Sequence, residues 1–302
     1  MVGDLCFNIK LTKYIDINMI RACIFDLGGT LIDKYSLTPL ISLQKSFLKK
    51  NIHIKSKLIR KDMGLDKLDH IHQLCKEDSI QRQWYYNYNR LVSNEDKENI
   101  YNDFKIILKK ETVENMKIIP HTRNCISELK NRGIQIGVTT GFNKEQTELV
   151  QNILISNGVS IDNYVSSTCL DKPGRPEPHM IYENMDKLNI DDPRTIIKID
   201  DTKVGIQEGL NADCITVGVA RWSVNMNVNN KDEMLLTDQV ITGGDNHYSN
   251  NYYLFHKKLR NSRNVLKEAG AHYVINNLVE LTEIIEDVNN MKTPYLKNLR
   301  TH

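Results

Sequence analysis

With 302 residues, 40% of them apolar and 26% charged, the chain has the composition of an ordinary globular protein and enough length for one large domain or two smaller ones. Its formal net charge of +2, spread over interspersed acids and bases, leaves no basic block for a nucleic acid, and no stretch approaches the ~20 apolar residues that span a bilayer. The six cysteines are scattered without a C-x-x-C pair, which argues against zinc or a redox couple; the expected setting is the reducing cytoplasm, with neither membrane nor nucleic acid as partner.

Residues 1–18 hold neither a long apolar run nor a small-residue cleavage site, and look like a loosely tied end. The first expected strand is Ala22–Phe25, within CIFDLGGTLID, which delivers Asp26 into the turn Gly28-Gly29-Thr30. From Leu40 to Lys117 the sequence is charged and helix-patterned with no clear strand, so 38–111 is expected as a helical domain inserted after the first strand. A helix over Thr122–Asn131 then leads into a strand Ile134–Thr139, which ends in Thr139-Thr140-Gly141. Further strands follow at Tyr164–Ser166, Thr195–Ile199, Ile215–Val219 and Tyr273–Ile275, with a helix Pro178–Leu188 after the segment PGRPEP that contains Arg175. Residues 223–262 are rich in Asn, carry a turn signal at Gly243-Gly244-Asp245-Asn246, and are expected as a surface excursion. Residues 290–302 are a second loosely tied end.

Strands alternating with helices predict an α/β fold: a Rossmann-like core with a parallel sheet covered on both faces, built from 19–37 and 112–289 and interrupted by the helical insert. In such sheets ligands gather beyond the carboxyl ends of the strands, and three of those ends here carry reactive groups. Asp26, Asp200 and Asp201 can share one hard divalent cation such as Mg²⁺, with the Gly28 carbonyl as a further ligand. Such a cation would screen Asp26 from an anionic phosphorus group and make carboxylate attack feasible. Thr140 and Gly141 offer a hydroxyl and a backbone N–H to phosphoryl oxygens, and Arg175 adds a positive charge between prolines. Singly, each feature has a plainer reading, since an Asp after a strand often caps a helix and GRP is often a turn.

Together, FDLGGT, TTG, GRP and DDT followed five residues later by EG resemble the four motifs of the haloacid dehalogenase superfamily. The resemblance implies a phospho-aspartate formed on Asp26. Phosphatases of that superfamily carry a general acid two residues after the nucleophile, where this chain has Gly28. Residues 60–71, RKDMGLDKLDHI, resemble the cap segment of the phosphonoacetaldehyde hydrolase family, as do stretches through most of residues 20–287. By that match Lys67 forms a Schiff base with the substrate aldehyde, with Met63 and His70 also corresponding, and the protein forms a homodimer. The imine explains the missing acid: it accepts the electrons of the breaking C–P bond, so the leaving group departs as an enamine. For attack on a carbonyl, the lysine pKa must fall toward neutrality, and His70 is placed on the next helical turn to shuttle protons. The implied substrate is a small phosphonate, with Mg²⁺ as cofactor; a phosphatase or phosphotransferase acting on an ester, or a silent binding relative, are the rival readings. Departures from the family pattern are Phe142 for a tyrosine, Ser36 for a cysteine, Gly205 for the second acid of the fourth motif, with adjacent Asp200 as its possible replacement, and Asp66 for an apolar residue.

Overall fold

The run Ala22-Cys23-Ile24-Phe25 is apolar at every position, which suits a strand covered on both faces. It forms β1 (Ala22–Phe25), with Cys23 and Phe25 in one buried cluster and Ala22 and Ile24 in another on the opposite face. In the computed structural model of the protein, which describes residues 20–242 and 250–290, β1 is joined by β2 (Gln135–Thr140), β3 (Asn163–Ser166), β4 (Ile196–Asp200), β5 (Ile215–Val219) and β6 (Tyr273–Ile275). They make one parallel sheet in the order β3-β2-β1-β4-β5-β6. The chain runs outward from β1 through β2 and β3, then returns to place β4 on the other side of β1. A crevice therefore opens at the carboxyl edge between β1 and β4, where the strand order reverses. Register sets what reaches it: Phe25 pairs with both Val138 and Ile199, so Asp26, Thr139 and Asp200 share one rung.

The insert after β1 holds five helices, α1 (Leu37–Leu48), α2 (Ser56–Lys61), α3 (Lys67–Lys76), α4 (Asp78–Tyr88) and α5 (Asn94–Asn115), before a sixth leads into β2. Phe47, Trp84 and Phe104 from this insert are buried in the same cluster as Phe25 and Val138. The remaining helices are α6 (Thr122–Asn131), α7 (Lys144–Ser156), α8 (His179–Leu188), α9 (Lys203–Asn211), α10 (Lys231–Ile241), α11 (Asn250–Glu268) and α12 (Leu281–Asn290). This is an α/β Rossmann-like core with helices on both faces of the sheet.

The differences from expectation have local causes. Strands β2 and β4 run one residue later than expected, because Thr140 still pairs with Ser166 and Asp200 with Gly218. Pro178 caps α8 instead of starting it. The described residues of 223–262, expected as a surface excursion, pack on the core. Their apolar positions Val224, Met226, Val228, Phe255 and Leu259 are buried with Tyr35 and Trp222, and α11 packs on β5 and β6. The asparagines that suggested a loop serve as turn formers: Asn230 accepts the Glu233 N–H at the start of α10, and Asn227 takes a left-handed conformation. The expected turn at 243–246 and the ends at 1–18 and 291–302 lie outside the described residues. Among the described residues no helix is long and apolar enough to cross a membrane, and all five cysteines are free.

Candidate active site

Asp26 is the first residue beyond β1, and its N–H is held by Ile199 O at 2.9 Å. Its carboxylate is 6% exposed, and Oδ1 accepts a 2.8 Å hydrogen bond from Arg175 Nη1. Burial, and then the charge of Asp200, push its pKa up to about 6 against the pull of Arg175 and Lys198. Carboxylate oxygens of Asp26, Asp200 and Asp201 all lie within 4.8 Å of one another. Asp201 is raised well above the ordinary carboxylate range by burial and then by Asp26 and Asp200. Asp200 is lowered, because Arg175 and Lys198 outweigh the effect of its burial. A side chain at Gly29, which has φ +78°, would overlap the Asp201 carboxylate, so glycine lets the loop after β1 close over that acid.

Sequence reasoning missed two buried charges beneath this cluster. Lys198, inside the apolar run of β4, reaches Thr139 Oγ1 at 2.6 Å and lies 3.1 Å from both Asp200 Oδ2 and Glu208 Oε2. Glu208 in α9 accepts from Arg175 Nε at 2.8 Å and from Thr139 Oγ1 at 3.0 Å. The guanidinium is tied down further by Thr139 O and Oγ1, at 2.7 and 2.8 Å. Lys198 had a legible signal, a charge inside a strand expected to be covered on both faces; Glu208 stands in the EG of the fourth motif, but its partners are remote in sequence. Four buried acids (Asp26, Asp200, Asp201, Glu208) thus surround two buried bases, Arg175 and Lys198. Asp201 Oδ1 has no hydrogen-bond partner among the described residues. Excess buried negative charge with an orphaned oxygen suits a divalent cation, and the donor set is all oxygen, as Mg²⁺ prefers.

A small pocket above these acids is lined by Asp26, Gly28, Ser36, Met63, Lys67, Thr140, Gly141, Phe142, Arg175 and Thr202. At Gly28 a Cβ would stand 3.2 Å from Ser36 Oγ, a tight contact on one side. Lys67 opens α3 and is 5% exposed; its Nζ donates to Leu65 O at 3.1 Å and sits 5.8 Å from the Phe142 ring centroid. Burial lowers its pKa to about 8, opposed by Asp66 and Asp26 and aided slightly by Arg175. Neighbouring Asp66 has its own task. Its carboxylate caps α3 by accepting from Leu68 N at 2.8 Å and also accepts from Ser167 Oγ at 2.7 Å. Asp200, Asp201 and His70 are not part of the pocket lining. His70 is fully buried one turn beyond Lys67, and burial together with the Lys67 charge pushes its imidazole down to about 3, so it is neutral at pH 7.

A parallel sheet with reversed strand order, a carboxylate at the end of β1 and paired acids at the end of β4 define the class, and the chain belongs to the haloacid dehalogenase-like hydrolases, whose family model it matches over residues 23–219. Within that class its relatives are phosphonoacetaldehyde hydrolases. The enzyme of that name from Lactiplantibacillus plantarum is 31% identical over 89% of this chain and 97% of its own length. The bifunctional phosphonoacetaldehyde hydrolase/aminoethylphosphonate transaminase of Clostridioides difficile is 30% identical over 90% of this chain, which spans 40% of that longer protein. The crystal structure of a phosphonoacetaldehyde hydrolase-like protein from Oleispira antarctica superposes with a TM-score of 0.80 at 26% identity, covering 89% of this chain and 92% of that one.

Proposed function

We propose that the protein hydrolyses the C–P bond of phosphonoacetaldehyde to acetaldehyde and phosphate. One observation carries this reading: a buried amine of lowered pKa, Lys67, shares a small pocket with a carboxylate, Asp26, while Gly28 brings no general acid to it. The neutral Lys67 amine attacks the aldehyde carbon; the carbinolamine takes up one proton from solvent and loses water, giving a protonated imine. Asp26 then attacks phosphorus, and the C–P electron pair moves into the imine to give an enamine. Water hydrolyses the aspartyl phosphate; protonation and hydrolysis of the enamine release acetaldehyde and restore Lys67. Asp26, Asp201 and Asp200, with the Gly28 carbonyl, would hold Mg²⁺, which when bound offsets the repulsion between carboxylate and phosphonate. Thr140 and Gly141 hold phosphoryl oxygens at the end of β2. Arg175, oriented by Glu208, Asp26 and Thr139, lines the pocket and would add its positive charge to the hold on the phosphoryl group. Met63 borders the aldehyde. His70 takes no proton-transfer step in this scheme; it backs Lys67 and keeps water from the amine.

The insert α1–α5 would act as a cap over the crevice, in a cytoplasmic homodimer. The direct test is acetaldehyde release from phosphonoacetaldehyde with Mg²⁺, comparing wild type with Lys67→Arg. The variant keeps the charge but cannot form the imine, so release should fall to background. Release that survives would sink the imine route, and turnover of phosphate esters alone would point to a phosphatase.

A further inference from the structure

The stretch 64–67, which leads into α3 and ends on Lys67, lies against the carboxyl ends of three strands. A side chain at Gly64, which has φ +103°, would meet Thr202 and Val204 just beyond β4, and a Cβ at Gly141, just beyond β2, would overlap Leu65 O. At β3 the contact is polar. Asp66 Oδ2 accepts a 2.7 Å hydrogen bond from the hydroxyl of Ser167, the residue after that strand and 101 positions away in the chain. Ser167 is buried and Asp66 half-buried, so the bond is sheltered from water. The other oxygen, Oδ1, accepts from Leu68 N at 2.8 Å and Asp69 N at 3.3 Å, the capping bonds of α3. One carboxylate thus joins the start of the helix to the end of a strand, and its charge strengthens both sets of bonds. An apolar residue, which the family pattern has at this position, could form neither.

Asp66 is also the sequence neighbour of Lys67, where a free carboxylate would be at liberty to pair with the amine. With both oxygens taken, no ion pair joins the two among the described residues, and Lys67 Nζ donates instead to Leu65 O at 3.1 Å. We infer that Asp66 and Ser167 are positioning residues for Lys67: their hydrogen bond seats the start of α3 on the end of β3 and turns the carboxylate from the amine, so that the amine is presented to the pocket. The inference rests on the proposed reading of Lys67 as the imine-forming residue.

The experiment treats wild type, Ser167→Ala and Ser167→Thr with acetaldehyde and cyanoborohydride, which reduces an imine to an ethyl group on the lysine, and follows labelling of Lys67 by mass spectrometry. Wild type should be labelled at Lys67. Ser167→Ala, with wild-type circular dichroism, should be labelled about 10- to 100-fold more slowly, the loss expected when a reacting group is misplaced by about 1 Å. Ser167→Thr, which keeps the hydroxyl, should recover most of the rate. A rate unchanged in Ser167→Ala, or lost equally in Ser167→Thr, overturns the inference. Absence of label on wild-type Lys67 would sink the imine reading instead, and hydrogen exchange at residues 64–70 keeps the two failures apart. Loss of the bond should quicken that exchange in Ser167→Ala whether or not Lys67 forms an imine; exchange equal to wild type overturns the seating.

Discussion

Lys67 meets opposed demands from folding and chemistry. Its burial, which holds the amine near pKa 8 instead of the ordinary 10.5, makes it a nucleophile at modest pH and also makes its charged form unfavourable in the folded state. The folded pKa lies below the unfolded one, so between about 8 and 10.5 the unfolded chain holds a proton that the native protein lacks. Stability therefore rises with pH through that window, and the charged lysine costs about 3 kcal/mol below it. Lys67→Met should unfold at higher urea concentration than wild type at pH 7, by up to that amount, with the gap closing above pH 10. Equal midpoints at pH 7 would mean that the amine is solvated. A more stable yet inactive variant would be an ordinary case of a functional group held at the expense of stability.

At the scale of elements, the insert and the segment after β5 are tied together by one side chain. Arg60, at the end of α2, donates to Tyr35 O at 3.3 Å, to Val224 O at 2.9 Å and to Val228 O. The segment it grips holds Asp201: Val224 N donates to Oδ2 at 2.8 Å, and Ser223 Oγ donates to the Asp201 carbonyl at 2.7 Å. Arg60→Met strands buried carbonyls and should lower stability by about 3 kcal/mol in urea unfolding; a loss under ~1 kcal/mol would show that water satisfies them. None of this was legible in the sequence, where Arg60 looked like one more charge in a helical run and Val224 and Val228 were lost among asparagines. The strands were legible because fully buried strands need unbroken apolar runs, and Asp26, Thr140, Arg175 and Asp201 because they follow such runs or sit in marked turns. Lys198 was read as part of a strand and not as part of the site. The contacts of Glu208 with Arg175, Thr139 and Lys198 depend on how α9 packs against the end of β4, which no local pattern encodes.

Over the whole molecule, the charge balance is near neutral while the site is not. Formal net charge is +2, yet four acids against two bases are buried at the sheet edge. That concentration should couple folding to cation binding. Mg²⁺ at a hundred times its dissociation constant should add about 2.7 kcal/mol of stability, read as a rise in melting temperature that chelator reverses. A melt indifferent to Mg²⁺ and chelator would mean that the acids are balanced by protons instead.

The approach of Leu65 to Gly141 has a consequence for traffic. A Cβ at Gly141 would overlap Leu65 O, the same carbonyl that accepts from Lys67, so here the insert and the sheet edge meet backbone to backbone. Asp26, Lys67 and Arg175, at 6%, 5% and 5% exposure, line a small pocket beside this seam. On the proposed reading, any widening of the pocket between insert and core would have to separate these two stretches of backbone, so that close approach would govern how much water reaches an enamine formed there.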